Sequence, residues 1–341
     1  MLPNTPNAHL VSNGLRPINC FTPAFHANVL LEGFLSDTPI HIGELLPAVA
    51  MSLDLERAAD RKIRVDSSKY AVLENNLTRK GIWATDGGRR PKPTETVHQE
   101  VLTFETEDIV GRLVMESSLG QLTVFEMELV SWIMAKWVQK EVPESPTVEF
   151  FEAELAREFG VQWGGSRAKF QKEALRKLDR VRFTAEVWSE KTKTLVTEHF
   201  GIFDRITIVE RKNSRTGPAI RPVPIRARFG EFIHEQLKAG QYRRYSWQVL
   251  RGALKTPLAK RLYVLLDGQK GRETHQGWLY EHTVDEKLLS SLGVRDRNMS
   301  RVRTSLRAAC DEIRTAEPQR YLRCEVREGA RSWVLSALKK P

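Results

Sequence analysis

The sequence contains the same order of segments twice, and this repetition constrains the fold more than any other feature. In the first copy, residues 123–139 carry apolar side chains at helical spacing. A short second helix is expected to end at Gly160-Val161, because glycine readily leaves a helix in a left-handed conformation. A third helix is predicted over 166–180, and Ser166 is suited to cap its start.

The second copy lies about 133 residues further along the chain. Its first helix is predicted over 257–267, its second helix ends at Gly293-Val294, and its third covers 296–314. In both copies the Gly-Val pair precedes a Ser-Arg pair by a few residues, Ser166-Arg167 in the first and Ser300-Arg301 in the second. The Gly-Val and Ser-Arg pairs therefore occur in the same order in both copies, even where the other residues differ.

Each third helix is followed by two extended runs that indicate a β-hairpin. The runs are 182–189 and 195–203 in the first copy, and 321–327 and 332–337 in the second. The turn of the second hairpin contains Gly329, as tight hairpins favour. Helix, helix, turn, helix and two-stranded ribbon is the order of a winged helix.

The sequence therefore predicts an α+β fold with two tandem winged-helix domains and an N-terminal extension. We place the first winged-helix domain at 101–229 and the second at 230–341, with 230–239 as a helix that couples them. Residues 1–100 form an extension for which the sequence gives no clear structure.

The net charge of +10 lies entirely in the last third of the chain. Residues 241–341 contain 21 Lys and Arg against 11 Asp and Glu, whereas residues 1–240 contain 32 of each kind. A local surplus of positive charge implies a polyanionic partner, either nucleic acid or an anionic membrane surface. The helical pattern of the third helices favours nucleic acid.

At about 100° per residue, the third helix of the second copy divides into two faces. One face is apolar and is predicted to pack in the core: Met299, Val302, Leu306, Ala309, Cys310 and Ile313. The opposite face and its flank are polar and basic, and are predicted to contact DNA: Arg297, Ser300, Arg301, Arg303, Thr304 and Arg307. A merely solvated basic face is the alternative, but acids that would balance it appear only at Asp311 and Glu312.

The third helix of the first copy has the same division. Its predicted core residues are Phe170, Ala174, Leu175, Leu178 and Val181. Its predicted DNA-facing residues recur at steps of three and four: Lys169, Lys172, Arg176 and Arg180. Glu173 is the main acid among them.

The side-chain types on these faces suggest separate tasks. Arginine can donate two hydrogen bonds to the O6 and N7 atoms of guanine in the major groove. We therefore assign base reading to Arg297, Arg301 and Thr304 near the start of the helix. Contacts to the DNA backbone are assigned to four further arginines, two of them on the hairpin: Arg303, Arg307, Arg327 and Arg331.

The sequence lacks the motifs of other function classes. No apolar run reaches the roughly 18–20 residues that a membrane span needs, and the N-terminus does not read as a signal peptide, so a cytoplasmic protein is expected. Phosphate-loop, dinucleotide-binding, nucleophile-elbow and HExxH motifs are absent. Cys20, Cys310 and Cys324 have neither zinc-site nor disulfide spacing. We expect no cofactor, no metal ion and no enzymatic activity.

Two segments resemble the plasmid replication initiators of the replication initiator protein A type. They are SSLGQLTVFEMELVSWIMAKW at 117–137 and RRYSWQVLRGALKTPLAKRLYVLLDG at 243–268, and the likeness extends over roughly 110–341. The resemblance implies tandem winged helices that bind directly repeated origin sites and recruit host replication proteins such as a helicase or the host initiator. It also implies repression of the protein's own promoter, with a homodimer as one functional form.

Two alternatives remain open at this stage. A winged-helix transcriptional regulator would use the same DNA chemistry, although residues 1–100 do not clearly supply a ligand-binding or oligomerisation domain. A nucleic-acid enzyme such as a relaxase or primase would need clustered His, Asp and Glu residues or an active tyrosine. Tyr245 and Tyr263 are expected to pack in the second domain instead.

Overall fold

The computed structural model describes residues 70–79, 81–85, 96–105, 109–140, 144–160, 165–189, 193–209, 223–269, 271–329 and 332–340. Its helices are α1 Asn75–Arg79, α2 Val124–Gln139, α3 Glu152–Glu158, α4 Gly165–Asp179, α5 Glu231–Lys238, α6 Pro257–Gly268, α7 Glu286–Ser291 and α8 Met299–Ala316. A π-helical turn, Gln248–Ala253, precedes α6.

The strands are β1 Tyr70–Glu74, β2 Val97–Glu105, β3 Ile109–Ser117, β4 Thr147–Phe150, β5 Val181–Ser189, β6 Thr194–Phe200, β7 Phe203–Thr207, β8 Ile225–Phe229, β9 Tyr242–Ser246, β10 Arg272–Thr274, β11 Gly277–Thr283, β12 Tyr321–Glu328 and β13 Trp333–Lys339. They form antiparallel sheets in the orders β1-β9, β2-β3-β5-β6, β4-β8-β7 and β10-β11-β13-β12. The predicted α+β class is confirmed.

The predicted order of three helices and a hairpin occurs twice. We call α2, α3, α4 and the sheet β2-β3-β5-β6 the first module, and α6, α7, α8 and the sheet β10-β11-β13-β12 the second module. In the second module β11, which lies between the first two helices, pairs with hairpin strand β13. In the first module the corresponding strand β4 pairs with β8 instead. The two modules therefore have the same order of three helices and a hairpin, but the strand between their first two helices pairs differently.

Capping side chains set the helix starts. Thr123 and Glu126 form a capping box at α2, in which the Thr123 backbone N–H donates to the Glu126 carboxylate at 2.7 Å. Asn298 accepts hydrogen bonds from the backbone N–H groups of Ser300 and Arg301 at 3.1 and 3.2 Å. Because of this cap, α8 begins at Met299 and not at residue 296, where the sequence predicted its start.

Residues 70–85, which lie in the predicted extension, take part in the core. Strand β1 pairs with β9, which follows α5. Trp83 is fully buried, and its indole N–H donates to the carbonyl of Leu77 at 2.9 Å. The backbone N–H groups of Ala84 and Thr85 donate to the carbonyls of Leu122 and Gly293, so this segment contacts both modules.

A buried arginine connects the same segment to the second module. Arg261 of α6 has no exposed surface, and its two terminal nitrogens donate to the carbonyls of Thr78 and Ser291 at 2.5 and 2.8 Å. Burial lowers the pKa of Arg261 to about 10. The guanidinium therefore stays charged at neutral pH and holds the ends of α1 and α7 against α6.

The first helices of the two modules are joined by a buried ion pair. Glu128 of α2 is 2% exposed, and its carboxylate lies 2.5 Å from the Lys260 ammonium of α6 and 3.3 Å from the Arg251 guanidinium. Arg251 also donates to the carbonyl of Phe159 at 2.9 Å, at the end of α3. Because a buried charge is costly unless it is paired, these contacts fix one arrangement of the modules. The apolar cores of both modules belong to one continuous cluster.

The two helix-ending glycines provide a test of how the modules meet. Gly160 and Gly293 both have a left-handed φ, at +59° and +68°. A Cβ atom on Gly160 would contact nothing, whereas a Cβ atom on Gly293 would overlap the carbonyl oxygen of Trp83. We predict that Gly160→Ala costs only the backbone strain, about 1–2 kcal/mol. Gly293→Ala should cost about 3 kcal/mol or more, since the Trp83 segment must also move.

Denaturant unfolding of the two variants and the wild type measures these free energies. Gly160→Ala is the matched control, because it changes the same residue type in the same conformation without the overlap. Equal losses in the two variants would contradict the close packing of 81–85 on the second module.

Candidate nucleic-acid interface

The outer face of α8 is separated from its buried face much as its periodicity predicted. Five of the six predicted core residues are buried: Val302, Leu306, Ala309, Cys310 and Ile313. The prediction for Met299 was wrong, since this side chain is 38% exposed. Met299 is the first residue of the helix, immediately after the Asn298 cap, and the buried stripe begins only at Val302.

The start of α8 presents the residues assigned to base reading. The side chains of Arg297, Ser300, Arg301 and Thr304 are all exposed. The Thr304 hydroxyl donates to the Ser300 carbonyl at 3.1 Å, which leaves its oxygen lone pairs as acceptors. In the part of the chain that the structure describes, neither Arg297 nor Arg301 forms an ion pair or side-chain hydrogen bond. Their guanidinium donors are therefore available to a ligand.

Arg303 and Arg307 lie on the flank of α8 and contact the hairpin. Their guanidinium carbons lie 4.8 and 4.7 Å from the centre of the Trp333 ring, at the start of β13. The Nε–H of Arg303 donates to the Met299 carbonyl at 3.0 Å, and that of Arg307 approaches the Val326 carbonyl at 3.5 Å. The sequence analysis missed Trp333, because strand periodicity does not show that a ring faces a neighbouring helix.

Of the two hairpin arginines assigned to the DNA backbone, the structure describes Arg327. Arg327 forms an ion pair with Glu281 of β11 at 2.7 Å, and this hydrogen bond lowers the pKa of the Glu281 carboxyl. Part of the Arg327 charge is thus neutralised within the sheet. Arg331 lies outside the described residues.

Helix α4 presents a weaker version of the same face. Ala174, Leu175, Leu178 and Val181 are buried as predicted. The prediction for Phe170 was wrong: it is 44% exposed, because its ring packs 4.7 Å from Phe125 at the edge of α2 and not in the interior.

The basic residues of α4 differ in how far they are exposed. Lys169, Arg176 and Arg180 are exposed. The Lys172 ammonium is half-buried and lies 3.0 Å from the Glu152 carboxylate in the first turn of α3. Glu173 is exposed on the same helix. The positive charge that α4 presents to a ligand is therefore smaller than that at the start of α8.

Two other kinds of site, a metal centre and a membrane-spanning helix, were also considered for the described residues. No group of three or more His, Cys, Asp or Glu side chains within them is arranged to hold a metal ion. Within the same residues, no helix combines the length and the apolar character required to cross a membrane. The arginine-bearing face of α8 is the strongest candidate for function.

The fold is a mixed α+β arrangement with a basic third helix in each module, and solved structures with this architecture are known. The chain superposes on the crystal structure of domains 2 and 3 of RctB with a TM-score of 0.53 and 13% identity, covering 81% of this chain and 99% of that one. A second structure of RctB domains 2–3 gives a TM-score of 0.51 and 12% identity over 78% of this chain and 96% of the other. At this identity the similarity shows a shared fold.

The sequence comparisons give no further relatives. No family model matches the chain, and no curated protein matches it either.

The exposed guanidinium of Arg301 leads to a test of base reading. We predict that Arg301→Ala weakens binding to a specific duplex by about 1–3 kcal/mol and relaxes the base preference at one position. Binding to random duplex should change much less. The measurement is a pair of affinity titrations, on a duplex selected from a random pool and on an unselected one.

Arg314→Ala is the matched control for this test, since Arg314 is exposed on the same helix but pairs with Asp311 at 2.9 Å near its far end. An equal loss on both duplexes would show that Arg301 contacts only phosphate.

Proposed function

We propose that the chain is a sequence-specific double-stranded DNA-binding protein that initiates replication from directly repeated origin sites. The observation that carries this proposal is a pair of exposed arginines at the capped start of α8, Arg297 and Arg301, which form no ion pair with any residue that the structure describes. Donors in this position on an exposed helix suit the guanine edge in the major groove. We propose a binding protein and not an enzyme.

We further propose that both modules are winged helices and that they act in tandem. In the second module, the three helices, the strand β11 between them and the hairpin β12–β13 support this assignment. In the first module α4 and the hairpin β5–β6 take the corresponding places, although β4 pairs with β8. Two such modules on one chain would bind successive turns of one duplex, about 10–10.5 base pairs apart.

Two independent similarities favour initiation. RctB, whose domains 2 and 3 share this fold, is a replication initiator of a chromosome origin. The segments 117–137 and 243–268 resemble plasmid initiators, which favours a plasmid origin, autoregulation of the promoter, a homodimeric form and recruitment of host replication proteins. A transcriptional regulator with the same modules is the second candidate, because it would need the same DNA-binding surface.

Selection from a random duplex pool, followed by a replication assay, separates these candidates. The selected site is placed as direct repeats on a plasmid without another origin, and the protein is supplied from a second plasmid. Replication only in the presence of the protein supports the proposal. Repression of a promoter that carries the site, without any replication, would favour the regulator.

The participation of α4 can be tested through the salt dependence of binding. We predict that Lys172→Ala with Arg176→Ala lowers the affinity and reduces the slope of log K against log salt by about 1 to 2, since each neutralised phosphate contributes roughly 0.9. Titrations at several salt concentrations measure the slope.

Arg226→Ala with Lys238→Ala serves as the control, because exposed Arg226 and half-buried Lys238 pair with Glu149 and Glu144 outside their own elements. Denaturant unfolding of each variant shows whether losing the Lys172–Glu152 pair has altered the fold. An unchanged slope in a folded Lys172/Arg176 variant would remove α4 from the interface.

A further inference from the structure

The junction between α8 and the hairpin contains a cluster of two arginines and one tryptophan: Arg303, Arg307 and Trp333. Both guanidinium groups lie within 5 Å of the ring centre, at the distances given above. Trp333 is half-buried at the first position of β13, and the two arginines are one turn apart on α8. We call this the Arg–Trp–Arg cluster.

Stacking on an indole ring restricts a guanidinium without using its hydrogen-bond donors. The attraction arises between the cation and the negative face of the ring. In the described residues, only the Nε–H of each arginine has an acceptor, and it is a backbone carbonyl. The terminal nitrogens of both side chains are left with donors that have no protein partner among these residues.

Among the described residues, no carboxylate forms an ion pair with either arginine of the cluster. Glu328 lies directly across the β-ladder from Trp333, yet it forms no ion pair with either arginine in the described structure. By contrast, Arg327, one residue before Glu328, is paired with Glu281. Two like charges on one ring are unfavourable unless an anion lies between or beside them. A bound anion would balance these two charges.

We infer that the Arg–Trp–Arg cluster is a preorganised binding site for the DNA backbone phosphate at the junction of the third helix and the hairpin. This inference rests on the proposed DNA binding and adds a role for Trp333. Trp333 is a positioning residue: it holds the two guanidinium forks in place before binding, so less side-chain entropy is lost when they donate to phosphate oxygens. Because phosphates carry no base identity, the site raises affinity without setting sequence preference.

Substitutions of Trp333 test the positioning role. Trp333→Leu should weaken binding about fivefold to tenfold, by the same factor on selected and unselected duplex, as expected for losing two modest cation–π contacts. Trp333→Phe keeps an aromatic face and should stay within about threefold of the wild type. Trp278→Leu is the matched control, since Trp278 is a half-buried tryptophan of β11 in the same sheet and should leave affinity unchanged.

A double lysine variant distinguishes the contribution of the planar guanidinium groups from that of their positive charge. Arg303→Lys with Arg307→Lys keeps both charges at a half-buried and an exposed position on the flank of α8, so the fold should survive even if Trp333→Leu unfolds. We expect about tenfold weaker binding with a salt slope close to that of the wild type, because lysine retains the charge but not the planar fork.

The outcomes distinguish this inference from the proposed function. Wild-type affinity in the double lysine variant would overturn the preorganised site while leaving DNA binding intact. The same holds for a folded Trp333→Leu variant that binds normally, or for a loss confined to the selected duplex. Failure of the wild type to bind any duplex would instead refute the proposed function.

Discussion

The buried carboxylate of Glu128 fixes how the two modules sit against each other. A carboxylate that is 2% exposed would be strongly destabilising without its two cationic neighbours. Those neighbours, Lys260 and Arg251, belong to α6 and to the turn before it, whereas Glu128 belongs to α2. Any rearrangement that separates α2 from α6 must therefore break these ion pairs. The position of α4 relative to α8 depends on this ion pair.

A continuous series of helix contacts extends from this ion pair to the candidate interface. Helix α4 packs on α2, α2 packs on α6, and α6 packs on α8. The segment 70–85 covers the same junction through β1, Trp83 and its contact at Gly293. The two third helices thus belong to one folded body. Simultaneous binding by both would raise the avidity without any new type of contact.

The parts of the fold that follow from local periodicity were predictable. The apolar stripes of α4 and α8, the helix ends at Gly160 and Gly293, and both hairpins all depend on residues close in sequence. Phe170 and Met299 lie on the apolar stripes of their helices, but both side chains are exposed. A helical wheel cannot show where such a stripe extends beyond the core. The pairing of β4 with β8 joins residues far apart in sequence, which no local pattern indicates.

The candidate site was predictable to a similar degree. The exposed arginines of α8 followed from the helical wheel, because their side of the helix is set by the apolar stripe opposite. The pairing of Lys172 with Glu152, and of Arg327 with Glu281, depends on which elements become neighbours. The same is true of the stack on Trp333. Sequence alone therefore identified the basic residues, but not which of them form ion pairs or ring contacts within the folded chain.

We propose that both third helices bind one duplex as a fixed pair. Hydroxyl-radical footprinting of the wild-type protein on its selected duplex tests this most directly. We predict two protected stretches on the same face of the DNA, about 10–10.5 base pairs apart. A single protected stretch of one turn, at protein concentrations that saturate the site, would contradict it.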